Sequence, residues 1–149
     1  MFAWRLASSR YPPLTGEGAR LVGGRWNSPG RPLIYASESL ALCLAECLVH
    51  VTGALPREYT SFKISVPDDS VEELNLAQLK AGWERDPAQT RAIGDGWLEE
   101  HRSLTLIVPS AVLPDSRNIL LNPQHSGAAR LRALSKQPFT FDPRLRPVR

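Results

Sequence analysis

The chain has 149 residues, of which 42% are hydrophobic and 22% are charged, and its formal net charge is +3. This length predicts one domain, residues 1–149, with a core of its own, and the composition excludes an intrinsically disordered chain. No apolar run is long enough to cross a membrane and the first residues lack a secretory apolar region, so we expect a cytoplasmic protein. Basic side chains gather between Arg130 and Arg149, but the mild overall charge does not favour direct nucleic-acid binding.

A strand is predicted over Phe2–Leu6, because its residues alternate between two faces. Phe2 and Trp4 share one face and Arg5 lies on the other. If the aromatic face packs inward, Arg5 points the opposite way, towards whatever that face of the sheet holds. Arg5 then has two interpretations, an exposed side chain on an edge strand or a guanidinium that meets the phosphates of a ligand.

A possible ligand-binding segment follows a loop predicted over residues 11–18. The pair Gly23-Gly24 would let the backbone approach a ligand closely, and Arg25 offers a planar fork of donors that suits phosphate. A short strand over Leu33–Ala36 comes next and contains Tyr35. An arginine and an aromatic side chain are therefore close together in the chain.

The segment Leu40–Val51 predicts a helix that is apolar on almost every side and therefore buried, with Ser37 as its N-cap. Its clearly polar residues are Glu46 and His50, which lie four apart and share one face. A buried carboxylate is costly unless something pairs with it. Glu46 is therefore either one half of a structural ion pair with Arg25 or a functional group whose orientation His50 helps to fix.

Two cysteines, Cys43 and Cys47, form the pattern C-x-x-x-C-x-x-H with His50. The chain offers no further ligands with the spacing of a zinc site, so we expect no metal and interpret both thiols as small apolar side chains. A disulfide is not expected in a reducing compartment.

The second half of the chain predicts one clear helix, which starts at Asp86-Pro87 and runs to about Arg102. Residues 70–80 fit either a helix that begins with a capping box or a short strand. Further strands are predicted over Ser61–Val66, Leu104–Val108, Asn118–Asn122 and Phe139–Phe141. Short strands, few helices and no regular βαβ alternation predict an α+β protein, and no G-x-G-x-x-G pattern indicates a Rossmann dinucleotide site.

Ser110 follows the end of the predicted strand Leu104–Val108, where a rigid sheet can hold a side chain that the loop leaves accessible. No His and Asp with the spacing of a hydrolase accompany it, so we expect a hydrogen-bonding role and not an activated nucleophile.

The stretch GGRWN-x-x-G-x-P-L-I-Y-A-S-E-S-L-A-L-x-L-A-E resembles the RES domain, which is named for its arginine, glutamate and serine. Three later stretches resemble the family in the same order, namely VPS at 108–110, NILLNPQH at 118–125 and FTFDPRL at 139–145. The resemblance covers nearly the whole chain. It implies a fold like that of ADP-ribosyltransferases, α+β, with mixed or antiparallel sheets and a few flanking helices.

RES proteins are the toxins of bacterial toxin–antitoxin pairs and act on NAD. The resemblance implies that Arg5, Arg25, Tyr35, Glu46 and Ser110 line the NAD pocket. Glu46 would contact the ribose hydroxyls and stabilise the positive charge that forms on the sugar, and Arg25 with Arg5 would hold the diphosphate. Tyr35 would pack on the nicotinamide or its ribose, and Ser110 would bond a polar edge of the ligand.

NAD is then a consumed substrate and no resident cofactor is expected. The resemblance implies an antitoxin partner similar to Xre-type helix-turn-helix repressors, and it allows water, inorganic phosphate or a target protein as acceptor of the ADP-ribose. We expect NAD degradation that arrests growth, with mono-ADP-ribosylation of a cellular protein as the alternative. A different class is a non-catalytic basic module for nucleic acid or protein, whose salt-sensitive binding would be unaffected by Glu46→Gln.

Overall fold

The structure is a computed structural model that describes residues 1–146, so Arg149 of the predicted basic tail lies outside the described residues. Three α-helices are present in this part of the chain, α1 (Glu17–Val22), α2 (Leu40–Leu48) and α3 (Pro87–Glu100). The strands are β1 (Phe2–Ser8), β2 (Ile34–Ser37), β3 (Tyr59–Ser65), β4 (Val71–Glu73), β5 (Thr105–Pro109), β6 (Arg117–Leu121) and β7 (Arg132–Phe139).

The strands form one seven-stranded sheet in the order β4-β5-β6-β2-β1-β3-β7. The β4–β5 pair is parallel, and the other neighbours are antiparallel. β1 pairs with β3 along its whole length, whereas its register with β2 is the single pair Trp4↔Ser37. The predicted α+β class with a mixed sheet is confirmed.

The two faces of the sheet carry separate hydrophobic clusters. On β6, Ile119 and Leu121 belong to one cluster and Leu120 to the other, as the alternation of side chains along a strand requires. The second cluster includes Trp97 and Leu98 of α3, so this helix covers that face of the sheet. Helix α2 packs against β1 and β2.

The aromatic face of β1 does not pack inward. Ala3 is fully buried, whereas Phe2 is 55% exposed. The Lys63 ammonium lies 4.5 Å from the centre of the Phe2 ring and 5.5 Å from that of Trp4, so the aromatic face meets a cation and solvent. Alternation shows which side chains share a face but not which face the rest of the chain covers, and Arg5 lies on the covered one.

The predicted start, length and burial of α2 are also wrong. Ser39 is the N-cap, because its hydroxyl accepts from the Leu42 N–H at 3.1 Å, and the helix ends at Leu48. The Ser37 hydroxyl instead donates to the side chain of Asn118. The helix buries Leu42 and Cys43 but leaves the following residue, Val49, 57% exposed, so its apolar composition does not reflect full burial.

The remaining elements follow the sequence with two exceptions, α1 and the last strand. Helix α3 begins as predicted, with the Asp86 carboxylate accepting from the Gln89 N–H at 3.1 Å. Within 70–80 the strand interpretation is confirmed at β4, which pairs with β5 from Val71↔Thr105. Helix α1 was not predicted. The predicted strand Phe139–Phe141 is wrong, because β7 runs from Arg132 and already ends at Phe139, where its pairing with Tyr59 of β3 ends. In the described residues no helix combines the length and hydrophobicity that crossing a lipid bilayer would need.

Candidate functional site

A cleft of about 920 Å³ is lined by β1, β2, α2 and the segment before β2. Four of the five predicted site residues line it, Arg5 from β1, Tyr35 from β2, Glu46 from α2 and Arg25 from the segment 22–26. The structure therefore gathers side chains that lie far apart in the sequence.

Glu46 is half-buried, and its carboxylate accepts two hydrogen bonds through the Oε1 atom. Ser110 Oγ donates to it at 2.6 Å, and Asn118 Nδ2 donates to it at 2.6 Å. Within residues 1–146 Glu46 forms no salt bridge, so the structural ion pair with Arg25 is not formed. His50 lines the cleft but is exposed, and the hydrogen bonds to Glu46 come from Ser110 and Asn118 and not from His50.

Ser110 is fully buried and lies against Glu46 without lining the cleft. Its oxygen accepts from the backbone N–H groups of Val112 and Leu113, both at 3.1 Å. With these donors in place, the hydroxyl proton is directed to Glu46. Ser110 follows β5 as the sequence predicts, but the expected accessibility is wrong, because the side chain is packed inside and its partner in this structure is the Glu46 carboxylate.

Arg5 is half-buried and lines the cleft. Its Nη1 atom donates to the Tyr35 carbonyl at 2.7 Å, and its Nε atom is buried without a hydrogen-bond partner among the described residues. Burial lowers the pKa of Arg5 to about 10, and the nearby Cys43 and Tyr59 oppose this shift. A buried guanidinium with a free N–H is suited to an anionic ligand.

Arg25 also has a buried donor, Nη1, without a partner among the described residues. Its backbone is held by α3, because the Thr90 hydroxyl donates to the Arg25 carbonyl at 2.6 Å. One residue further along the helix, Arg91 Nε donates to the Gly24 carbonyl at 3.0 Å.

A second pair of contacts, one turn later on α3, holds the same segment. A Cβ atom on Gly94 would lie 1.7 Å from the Trp26 carbonyl oxygen, so this glycine lets the backbone rest on the helix. Asp95 accepts from the backbone N–H and the hydroxyl of Ser28. Consecutive turns of one helix face thus fix the segment that carries Arg25.

Tyr35 is fixed by its hydroxyl group. The oxygen accepts from the Trp26 N–H at 3.0 Å, and the hydroxyl donates to the buried Asn27 Oδ1 at 2.7 Å. Burial raises the pKa of Tyr35 above its ordinary range. The close backbone approach predicted at the glycine pair is made by this ring, because a Cβ on Gly24 would lie 2.5 Å from the Tyr35 hydroxyl.

Sequence reasoning missed two polar residues of the cleft, Arg91 and Asn118. Arg91 lies on the predicted helix that starts at Asp86-Pro87, and Asn118 begins a predicted strand, but the sequence assigned neither side chain to the site. With Arg91, the charged lining has three guanidinium groups and one carboxylate, which suits an anionic ligand that also carries hydroxyl groups.

The thiols on α2 are free in the structure, with Cys43 buried and Cys47 partly buried. Both line the cleft together with His50. In the described residues no group of three His, Cys, Asp or Glu side chains could hold a metal ion.

The profile of the RES domain family matches residues 2–142 of this chain. The chain is 36% identical to "Prs ADP-ribosylating toxin" of a Sphingobium species, over 95% of this chain and 94% of that protein. It is 38% identical to "Toxin Res" of Yersinia enterocolitica, over 98% of this chain and all of that protein.

A more distant relative is "NAD(+) phosphorylase MbcT" of Mycobacterium tuberculosis, 33% identical over 63% of this chain and 54% of that protein. The crystal structure of the MbcT–MbcA toxin–antitoxin complex contains a similar chain, with a TM-score of 0.76, 24% identity and coverage of 93% of this chain and 84% of that one. At this identity the similarity shows the fold alone. The family resemblance found in the sequence is confirmed by the profile and by the two full-length relatives, and the chain belongs to the RES domain family.

Proposed function

We propose that this chain is the toxin of a bacterial toxin–antitoxin system and that it cleaves the nicotinamide–ribose bond of NAD, which depletes NAD and arrests growth. The observation that carries the proposal is the Glu46 carboxylate, held by two donors on one oxygen. The same cleft is lined by Arg5 and Arg25, each with a buried guanidinium N–H that has no partner in residues 1–146. A carboxylate stabilises a sugar cation, and guanidinium groups bind a diphosphate.

The bond cleavage can be derived from these groups. As the C–N bond breaks, its electron pair leaves with nicotinamide and positive charge develops on the ribose. Glu46 accepts hydrogen bonds from the ribose hydroxyls and stabilises that charge, while Arg5 and Arg25 bind the diphosphate. The ring of Tyr35 packs on the nicotinamide or its ribose. The acceptor then adds to the ribose carbon and gives up a proton.

Water or inorganic phosphate is the acceptor in the first candidate function. The name of the Mycobacterium tuberculosis relative, an NAD(+) phosphorylase, supports phosphate. The second candidate is mono-ADP-ribosylation of a cellular protein, and it is supported by the Sphingobium relative, which matches nearly the whole chain and whose name gives Prs as its target. All of these reactions share the same bond cleavage, in which NAD is the substrate.

An antitoxin is the proposed protein partner. The complex of MbcT with MbcA supports a partner of this class, and the family resemblance supports one that is similar to Xre-type helix-turn-helix repressors and covers the cleft. We propose that the protein acts in the cytoplasm, where NAD is available.

The test is incubation of purified protein with NAD alone, with inorganic phosphate, and with purified Prs. Mass spectrometry identifies ADP-ribose, ADP-ribose phosphate or modified Prs, and nicotinamide release is expected in at least one arm. Glu46→Gln keeps the shape of the side chain and removes its charge, so it should abolish the release. No nicotinamide from the wild-type protein with any acceptor would overturn the proposal.

A test in cells uses a matched control. Induction of the wild-type chain should stop growth and drain NAD, and Glu46→Gln should do neither. Glu99→Gln changes an exposed carboxylate of α3 that does not line the cleft, so it should behave like wild type. Growth arrest that persists in Glu46→Gln would favour the non-catalytic binding module.

A further inference from the structure

We propose that Asn118, held in place by Ser37, is a positioning residue that fixes the Glu46 carboxylate in the orientation needed to meet the ribose of NAD. The inference rests on the proposed function. It assigns roles to two side chains that are not needed to bind the diphosphate or the nicotinamide.

Both hydrogen bonds to Glu46 reach the same carboxylate oxygen. Asn118 Nδ2 and Ser110 Oγ both donate to Oε1, each at 2.6 Å. The other oxygen, Oε2, accepts no hydrogen bond from a side chain in the described residues. Two donors on one oxygen fix the rotation of the carboxylate and leave the second oxygen for the hydroxyl groups of a sugar.

Ser37 determines which end of the Asn118 amide faces Glu46. An asparagine can present either its oxygen or its NH₂ group, but only the NH₂ group can donate to a carboxylate. The Ser37 hydroxyl donates to Asn118 Oδ1 at 2.7 Å, so it holds the amide with Nδ2 towards Glu46. Without this bond the amide is free to rotate and to place its oxygen against the carboxylate.

The sheet makes this arrangement rigid. Ser37 and Asn118 are direct cross-strand partners at the end of the β2–β6 pair. The preceding pairs of the same ladder include Ile34↔Leu121 and Ala36↔Ile119, whose side chains are buried. Slipping the register by one residue would turn these side chains out of the core, so the positions of Ser37 and Asn118 are fixed by hydrophobic packing.

This arrangement affects the rate more than substrate binding. The charge that Glu46 stabilises is largest in the transition state, and a shift of about 1 Å in a reacting group can reduce a rate by roughly 100-fold. Loss of Asn118 should therefore lower kcat, while the diphosphate contacts that dominate NAD binding remain. A reduction of kcat and kcat/KM together is the mark of an interaction made in the transition state.

The experiment measures kcat, KM for NAD and Tm for Asn118→Ala, Ser37→Ala and the double variant. We expect kcat to fall by about 10- to 100-fold in Asn118→Ala with little change in KM. Ser37→Ala keeps the asparagine and should give a smaller fall in kcat, and it should add nothing in the Asn118→Ala background, because the two residues act in one chain of hydrogen bonds.

The matched control is Asn122→Ala. Asn122 is a buried asparagine just after β6 that bonds the Leu98 carbonyl and the Gln124 N–H. The Asn122→Ala substitution should lower Tm and leave kcat unchanged. Should Asn118→Ala not fold, Ser37→Ala carries the test by itself, with kcat reduced at unchanged KM as the expected result.

The outcomes separate the inference from the proposed function. Wild-type protein that releases no nicotinamide overturns both. Wild-type turnover with an unchanged kcat in Asn118→Ala overturns the positioning role alone. A rise in KM without a fall in kcat in Asn118→Ala also overturns the positioning role alone. So does a loss of kcat in Asn122→Ala that equals the loss in Asn118→Ala. A third such outcome is a fall in kcat from Ser37→Ala that is equally large in the Asn118→Ala background.

Discussion

Gly24 and Tyr35 lie in direct contact, because a Cβ atom on Gly24 would sit 2.5 Å from the Tyr35 hydroxyl oxygen. The same hydroxyl accepts from the Trp26 N–H and donates to Asn27. The segment around Arg25 and the ring on β2 therefore depend on one another for their positions.

Gly24→Ala should lower the free energy of unfolding by about 1–3 kcal/mol, since the added methyl group overlaps an aromatic side chain that its hydrogen bonds hold in place. Urea unfolding measures the change. Gly18→Ala is the control, because a Cβ there meets only the Tyr11 ring at 3.9 Å. Equal stability of the two variants would contradict the close contact.

Two glycines of α3 should respond to alanine in opposite ways. At Gly94 the new Cβ would lie 1.7 Å from a backbone oxygen that cannot turn away, so Gly94→Ala should lose about 4 kcal/mol or more, or fail to fold. At Gly96 the Cβ meets nothing within 4 Å, and the substitution should stabilise the helix by up to about 1 kcal/mol. Thermal unfolding of both variants provides the comparison, and similar Tm values would refute it.

Arg5→Met should make the protein more stable and less able to bind NAD. Burial lowers the pKa of Arg5 to about 10, which means that the folded state disfavours the charged guanidinium that arginine keeps at neutral pH. Replacing this charge by an apolar side chain should raise the free energy of unfolding by about 1–3 kcal/mol. The lost hydrogen bond to the Tyr35 carbonyl, about 1 kcal/mol, offsets part of this gain.

The measurement for Arg5→Met is Tm with and without NAD. Wild type should gain Tm when NAD is added, and the variant should start higher and gain nothing. Arg85→Met replaces an exposed arginine and should change stability by no more than about 0.5 kcal/mol. A variant that is less stable than wild type, or that NAD still stabilises, would argue against a buried anion-binding role for Arg5.

Arg25→Lys should not preserve activity, because an ammonium cannot supply the planar pair of donors that fits a phosphate. A hydrogen bond to a charged group contributes about 1.5–3 kcal/mol, so kcat/KM should fall by roughly 10- to 100-fold. Arg31→Lys changes a half-exposed arginine that pairs with Asp95 and Glu99 and should have little effect. Full activity in Arg25→Lys would show that Arg25 contributes its positive charge and not the planar arrangement of its donors.

The two thiols of α2 report on the cleft through their reactivity. Burial raises the pKa of the Cys43 thiol to about 11 and also raises that of Cys47. Alkylation requires the thiolate, so labelling of Cys43 at pH 8 should be slow and should rise about tenfold per pH unit until the pH nears 11.

NAD should slow the labelling of Cys47, which is the less buried thiol of the cleft. Intact-mass measurements with iodoacetamide on Cys43→Ser and Cys47→Ser assign each rate. If NAD changes neither labelling rate, NAD does not bind in this cleft.

Part of the candidate site could be predicted from the sequence, but Arg91, Asn118 and the hydrogen bonds to Glu46 could not. The helix signal located Glu46, and the strand-end position located Ser110, because these depend on local patterns. The family resemblance, and not periodicity, favoured Arg5 over its interpretation as an exposed arginine. The contact of Asn118 with Glu46 could not be predicted, since the position of Asn118 depends on the cross-strand register with Ser37, which no local pattern specifies.

The errors in the fold have a similar cause. Ser37 and Ser39 are both good N-cap residues, and tertiary contact decides between them, since Asn118 engages Ser37 and leaves Ser39 for the helix. Helix α1 was missed because Gly16 and Gly18 look like breakers, whereas Gly16 takes a left-handed conformation, with φ of +68°, just before the helix begins.

The contacts of helix α3 bear on the rate at which NAD should bind. It holds the backbone by hydrogen bonds at Gly24, Arg25 and Ser28 and supports it at Trp26, so contacts within the protein order the segment that carries Arg25. Little ordering entropy is then lost on association. Capture of NAD should follow the frequency of diffusive encounters and not the closing of a loop.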